Sequence, residues 1–158
     1  MQRTSGDGAL SADERHTLEA VLDALVPPSA ERGMPGAGEL GLAPEVARTA
    51  AASEEAAAAL RAGLEACEEA ARRRGAEGFA ALDSSAREQV LREVDASRPD
   101  FVGALLFPTY SLYYRHPRVL ERLGPGPRPP HPGGYSLDPF EPALLEPVRH
   151  RSPFYRRV

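Results

Sequence analysis

The side chains able to do chemistry are few and scattered. The four histidines are His16, His116, His131 and His150. No two of them stand four residues apart, and Cys67 is the sole cysteine, so neither a helical His pair nor a Cys/His zinc cluster can form on spacing grounds. Covalent haem would need Cys-x-x-Cys-His, which is missing. Serine, histidine and acid all occur, yet no Gly-x-Ser-x-Gly elbow presents a nucleophile. The acid pairs Glu54–Glu55 and Glu68–Glu69 sit among Ala and Arg, the pattern of solvated helix faces. We assign no catalytic residue and no metal ligand. Tyr110, Tyr113, Tyr114 and His116 make the best local cluster for a polar pocket. The simpler reading of the same cluster is a helix end packed under another segment.

Recognition chemistry is denser. The block from Leu144 to Val158 interleaves apolar anchors with arginines, and aromatic and arginine side chains most often carry interface energy. We take Tyr135, Phe140, Leu144, Leu145, Arg149, Arg151, Phe154 and Tyr155 as partner-binding residues. In an extended chain Arg149 and Arg151 face one way and can fork onto carboxylates. The same arginines can also pair with acids of the chain's own body.

These residues belong to a segment that cannot fold alone. Residues 125–158 contain nine prolines, each lacking a backbone donor and fixing φ, so neither a long helix nor a central strand is expected there. At polyproline rise such a run spans roughly 100 Å. The preceding body, with a radius of gyration near 14 Å, is only about 35 Å across. The arm must therefore wrap its own body, reach another protein, or both.

Ahead of the arm the apolar spacing is helical throughout. Ser11 and Glu14 form a capping box before Leu18, Val21, Leu22, Leu25 and Val26, and Pro27–Pro28 stop that helix. Residues 31–42 hold four glycines and a proline. No strand precedes them and no Lys-Ser/Thr follows, so a phosphate-cradling loop is disfavoured. A short helix is expected from Pro44 to about Ala52, then a long one capped by Ser53 and running to about Arg74. Its buried stripe of Leu60, Leu64, Cys67 and Ala71 makes Cys67 a core residue. Caps at Asp83, Ser84 or Ser85 (Ser85 pairing with Glu88) open a helix burying Val90, Leu91 and Val94. Pro99 opens the most apolar helix, with Phe101, Val102, Leu105 and Leu106 inward, a kink at Pro108, and Tyr110, Tyr113 and Tyr114 on one side. Pro117 starts a last helix that Gly124 ends. No segment alternates with period two. The fold class is all-α: five to six helices over residues 11–124, a flexible 1–10, and an extended Pro-rich arm over 125–158.

Charge narrows the partners. All 19 basic residues are arginine; residues 1–124 carry 14 of them against 20 acids, while the arm carries 5 against 3. An acidic body does not suit nucleic acid. No run of about 18 apolar residues offers a membrane span. The N-terminal stretch MQRTSGDGALSADERH carries no twin arginine and no apolar leader, so a cytoplasmic location is expected.

The order of motifs carries a resemblance. SADERHTLEAVLDALVPPS is followed by GMPGAGELGLAPEVAR, RAGLEACEEAARRR, GFAALDSSAREQVLREV and YYRHPRVLERLG. This resembles the gluconate 2-dehydrogenase subunit 3 family over roughly residues 11–124, most specifically in the helix ending Leu-Val-Pro-Pro before a glycine-rich loop. The resemblance implies a small helical protein without its own cofactor, accompanying a large FAD-dependent subunit of the glucose-methanol-choline type, sometimes with a cytochrome. Such subunits are thought to help the large one mature, stay soluble or be exported. Two features depart from the pattern: there is no twin-arginine signal, and His116-Pro117 replaces a Gly-Gly-Asn turn. The expectation is a non-catalytic accessory subunit in a hetero-oligomer, with FAD in the partner. The alternative is a free-standing helical ligand-binding protein whose arm covers a pocket at Tyr110, Tyr113, Tyr114 and His116.

Overall fold

Local signals set the helix starts. Glu14 N–H donates to Ser11 Oγ (3.1 Å) and Ser11 N–H to Glu14 Oε2 (2.7 Å), closing the capping box of α1, Ala12–Leu25. Pro44 stands in the first turn of α2, Ala43–Ala50, where its missing donor costs nothing. Ser53 caps α3, Glu54–Arg73, by accepting from Ala56 N–H at 3.1 Å. Asp83, and not Ser85, caps α4, Ser84–Ser97, accepting from Ala86 N–H at 2.8 Å. Prolines also open α5, Pro99–Tyr113, and α6, Pro117–Leu123, the latter closed by Gly124 at φ +94°. The chain is described here from a computed structural model covering residues 10–124, 134 and 139–151. Among those residues no strand forms, and the architecture is all-α as expected.

Helices α2, α3 and α4 each pack against both α1 and α5. The core between them is built from Leu18, Val21 and Leu22 of α1, Val46 of α2, Leu64 and Cys67 of α3, Val90 of α4 and Leu105 of α5, with Phe79 and Val119 also fully buried. Helix α5 runs unbroken through the buried Pro108.

The helices meet at two kinds of junction. One is steric: Gly63 of α3 lies so close to Phe101 of α5 that an added Cβ would stand 2.1 Å from the ring. The other is polar: Glu68 of α3 has Oε1 2.7 Å from the Thr17 hydroxyl of α1 and accepts from Phe79 N–H at 3.2 Å. Glu68 is thus a joint between α1, α3 and the 3-10 turn Phe79–Ala81, and not a solvated carboxylate. At the far end of α3, Arg73 and Arg74 fork onto Glu93 of α4 at 2.7 and 2.9 Å. The two guanidinium hydrogen bonds, Arg74 first, hold the Glu93 carboxyl below its usual range.

The described part of the arm departs from an extended chain. Pro142–Leu145 forms a 3-10 turn that runs into a single α-turn, α7, Glu146–Arg149. Pro142 and Pro147 fall at first-turn positions of their elements, where proline is tolerated, so a short helix survives where a long one cannot.

Two glycine substitutions separate steric locking from simple helix propensity. Gly63→Ala drives a methyl into Phe101 and is expected to cost ~1–3 kcal/mol. Gly103→Ala on α5 meets open space and is expected to stabilise by ~0.5–1 kcal/mol. Urea unfolding followed by circular dichroism measures both midpoints.

Candidate partner-binding surface

The glycine-rich loop orients everything around it. After α1 the chain turns back through a two-way bridge, Ser29 N–H to Met34 O (2.9 Å) and Met34 N–H to Ser29 O (3.0 Å), with Gly33 at φ +60°. Gly38 N–H then donates to Asp23 Oδ1 at 2.7 Å, Gly36 N–H to Glu39 Oε1 at 3.0 Å, and Ala37 N–H to Val26 O at 3.0 Å. The amides a phosphate would require from residues 36–38 are consumed by the protein's own oxygens. The loop is a clasp, and Pro35, Gly36, Ala37 and Gly38 are buried.

Tyr113 locks α5 to that clasp. Its hydroxyl donates to Pro35 O at 2.8 Å, and its side chain is buried. Burial first, then the neighbouring Tyr114 and Glu39, raise its phenol above the ordinary value. Tyr113 therefore parts company with Tyr110 and Tyr114, which lie on the exposed side. Their rings stack at 6.3 Å with 15° between planes, and Tyr113 meets Tyr114 edge-on at 5.2 Å. His116 is half-buried at the N-cap of α6, with its Nδ1 buried and without a hydrogen-bond partner.

With Phe101, Leu105, Thr109 and Tyr113 turned inward, the other side of α5 is also apolar. Leu106, Phe107, Tyr110 and Tyr114 fall within an arc of about 100° at 3.6 residues per turn. Phe107 is 78% exposed, Tyr114 51% and Tyr110 42%. Leu106 was expected inward and sits at the edge of this outer arc. The signal was present in the sequence: consecutive Leu105, Leu106 and Phe107 cannot all occupy one face of a helix.

A second exposed apolar surface lies on the arm. Phe140, Leu144, Leu145 and Val148 are all exposed, and no side chain between residues 139 and 151 is buried. Arg149 pairs within its own turn with Glu146 at 2.6 Å, so it does not form the same-facing extended pair with Arg151, which is exposed. Tyr135, Phe154 and Tyr155 lie outside the described residues.

Among the described residues, surface cavities lie elsewhere. One of about 560 Å³ runs along Leu10, Arg15, Ala43, Pro44, Ala47 and Arg48. One of about 780 Å³ is bordered by Asp13, Glu14, His16, Glu65, Glu68 and Glu77. A small one of about 150 Å³ lies beside Leu60, Phe101 and Ala104. These cavities are not lined by Tyr110, Tyr113, Tyr114 or His116. Among the described residues no group of three His, Cys, Asp or Glu side chains could hold a metal ion, and no helix is long and apolar enough to cross a membrane.

The model of one known family, gluconate 2-dehydrogenase subunit 3, matches residues 12–125, which take in the clasp, α3 and both faces of α5. The chain belongs to that family. No curated protein and no solved structure matches it. The match runs from the first residue of α1 to just past the glycine that ends α6, so the clasp and both faces of α5 lie inside the family region. The exposed arm segment 139–151 lies beyond it.

Two measurements test the inner half of this surface. Tyr113→Phe leaves Pro35 O without its donor and is expected to cost ~1–2 kcal/mol in urea unfolding, with helicity retained. Cys67 is fully buried, and burial, with a smaller contribution from Glu68, pushes its thiol up to about 12. An aromatic disulfide reagent at pH 8 is expected to leave Cys67 untouched in the native protein and to titrate one thiol after denaturation.

Proposed function

We propose that this chain is a non-catalytic accessory subunit that binds and stabilises, or helps mature, a large FAD-dependent oxidoreductase of the glucose-methanol-choline type acting on sugars or related alcohols. The family assignment supports a dehydrogenase subunit. The observation that carries the docking element is the arm: Phe140, Leu144, Leu145 and Val148 are exposed together on a segment with no buried side chain. Four large apolar groups held in water favour any contact that covers them, by about 25 cal/mol for each Å² removed from solvent. The flavin is assigned to the partner. The loop amides that could meet a pyrophosphate are already bound to Asp23 and Glu39, and among the described residues no strand precedes the Gly36-x-Gly38-x-x-Gly41 spacing.

Arginines on the arm add selectivity. Arg151 is exposed beside the Arg149–Glu146 pair, and guanidinium groups at the rim of an apolar contact suit carboxylates on the partner. The proposed complex is a hetero-oligomer in which this chain supplies surface and the large subunit supplies chemistry.

The test is co-expression of the tagged chain with a FAD-dependent glucose-methanol-choline-type oxidoreductase of the same organism, comparing full length with a version stopped after Gly124. Full-length protein is expected to retain a partner with flavin absorbance near 450 nm, on the order of one flavin per complex, and the truncated form to lose most of it, as removal of several clustered interface anchors would. Failure of the full-length chain to retain any flavoprotein would overturn the reading.

A further inference from the structure

We infer that the outer face of α5, made by Leu106, Phe107, Tyr110 and Tyr114, is a second docking surface for the same large subunit. The inference rests on the accessory-subunit reading above. The complex is then held at two points, a rigid helix face inside the family region and the arm beyond it.

The stripe is built to be covered. A helix that is apolar on all sides belongs in a core, yet α5 buries only Phe101, Leu105, Pro108, Thr109 and Tyr113. Its remaining arc between Leu106 and Tyr114 carries no charged residue. Tyr113 fixes the rotation of the helix through Pro35 O, and Phe101 wedges it against Gly63. The arc therefore cannot turn inward to hide itself. Stacking of Tyr110 on Tyr114 pre-orders two of the four side chains, which lowers the entropy lost on docking.

Three occupants are conceivable, and the observations favour one. The described arm segment does not cover the stripe: Phe107, Tyr110 and Tyr114 on one side and Phe140, Leu144 and Val148 on the other are exposed at the same time. A second copy of the chain is disfavoured by area. From Leu106 to Tyr114 the helix rises only about 12 Å, and at a helix diameter of about 10 Å the stripe offers little more than roughly 120 Å² of footprint. A stable pair needs about 800 Å² from each partner. A partner that also takes the arm does not need the stripe to suffice alone, because the first contact raises the effective concentration for the second. The chemistry expected of that partner follows from the stripe: a shallow apolar groove, uncharged along its floor, with hydrogen-bond acceptors at its edge for the Tyr110 and Tyr114 hydroxyls.

The test uses the full chain and the co-expressed flavoprotein. Phe107 is 78% exposed, so Phe107→Glu places a charge in the stripe without disturbing the core. Ala58→Glu, at an exposed position of α3, adds the same charge elsewhere. Phe107→Glu is expected to reduce retained flavoprotein at least ~10-fold, with an unchanged melting temperature, while Ala58→Glu behaves like wild type. If Phe107→Glu retains the flavoprotein fully while the version stopped after Gly124 loses it, the stripe is not an interface and the accessory-subunit reading survives. If wild type retains no flavoprotein, both fall. Sedimentation then asks whether wild type self-associates and Phe107→Glu does not, an outcome that would reassign the stripe to a second copy.

Discussion

The structure depends on how closely the glycine-rich loop approaches α1. A Cβ at Gly38 would stand 2.1 Å from the backbone oxygen of Glu19, and one at Gly36 would stand 2.2 Å from Asp23 Oδ1. No side chain fits in either gap. The absence of two methylenes lets Asp23 accept from Gly38 N–H and lets the buried loop present Pro35 O to Tyr113. One helix, one loop and another helix are thereby joined through a short relay of buried or half-buried polar contacts. Buried polar groups are mostly paired, and the pairing of Tyr113 with Pro35 O holds the rotation of α5.

Rotation of α5 has consequences beyond stability. A helix free to turn would present its most apolar side to the core and leave the remainder to water. Held by Tyr113 at one end and by Phe101 over Gly63 at the other, α5 keeps Phe107, Tyr110 and Tyr114 outside. The core is complete without them, since Leu18, Leu22, Leu64, Leu105 and Phe79 already fill it. Exposed aromatics on a locked helix are costly in an isolated chain and economical in a subunit.

Most of the helical body was legible in the sequence because its signals are local. The Ser11–Glu14 box, the Ser53 cap, first-turn prolines at Pro44, Pro99 and Pro117, and terminal Gly124 all act within one turn of where they stand, and each element appears where they place it. What could not be read depended on partners far along the chain. Glu68 looked like one of a solvated acid pair, and only the fold brings Thr17 and Phe79 N–H to it. Asp23 carried no motif, yet it closes the clasp fifteen residues on. Helical spacing grouped Tyr113 with Tyr110 and Tyr114, since residues three and four apart are neighbours, but the direction of the core separated them. Proline density suggested an extended arm throughout. It did not reveal that Pro142 and Pro147 both fall at first-turn positions, where the segment forms the short turn ending at Arg149.

The contrast between body and arm bears on how a contact-based subunit divides its work. The locked α5 face loses little entropy on association, because backbone and rotamers are already ordered, but it is small. The arm is longer and offers more anchors in all, and its nine prolines among 34 residues each fix φ before any contact is made, which lowers the entropy that docking removes. A small rigid face and a longer, proline-stiffened arm compensate for each other: the face gives orientation and the arm gives area. On the proposed reading neither is sufficient alone.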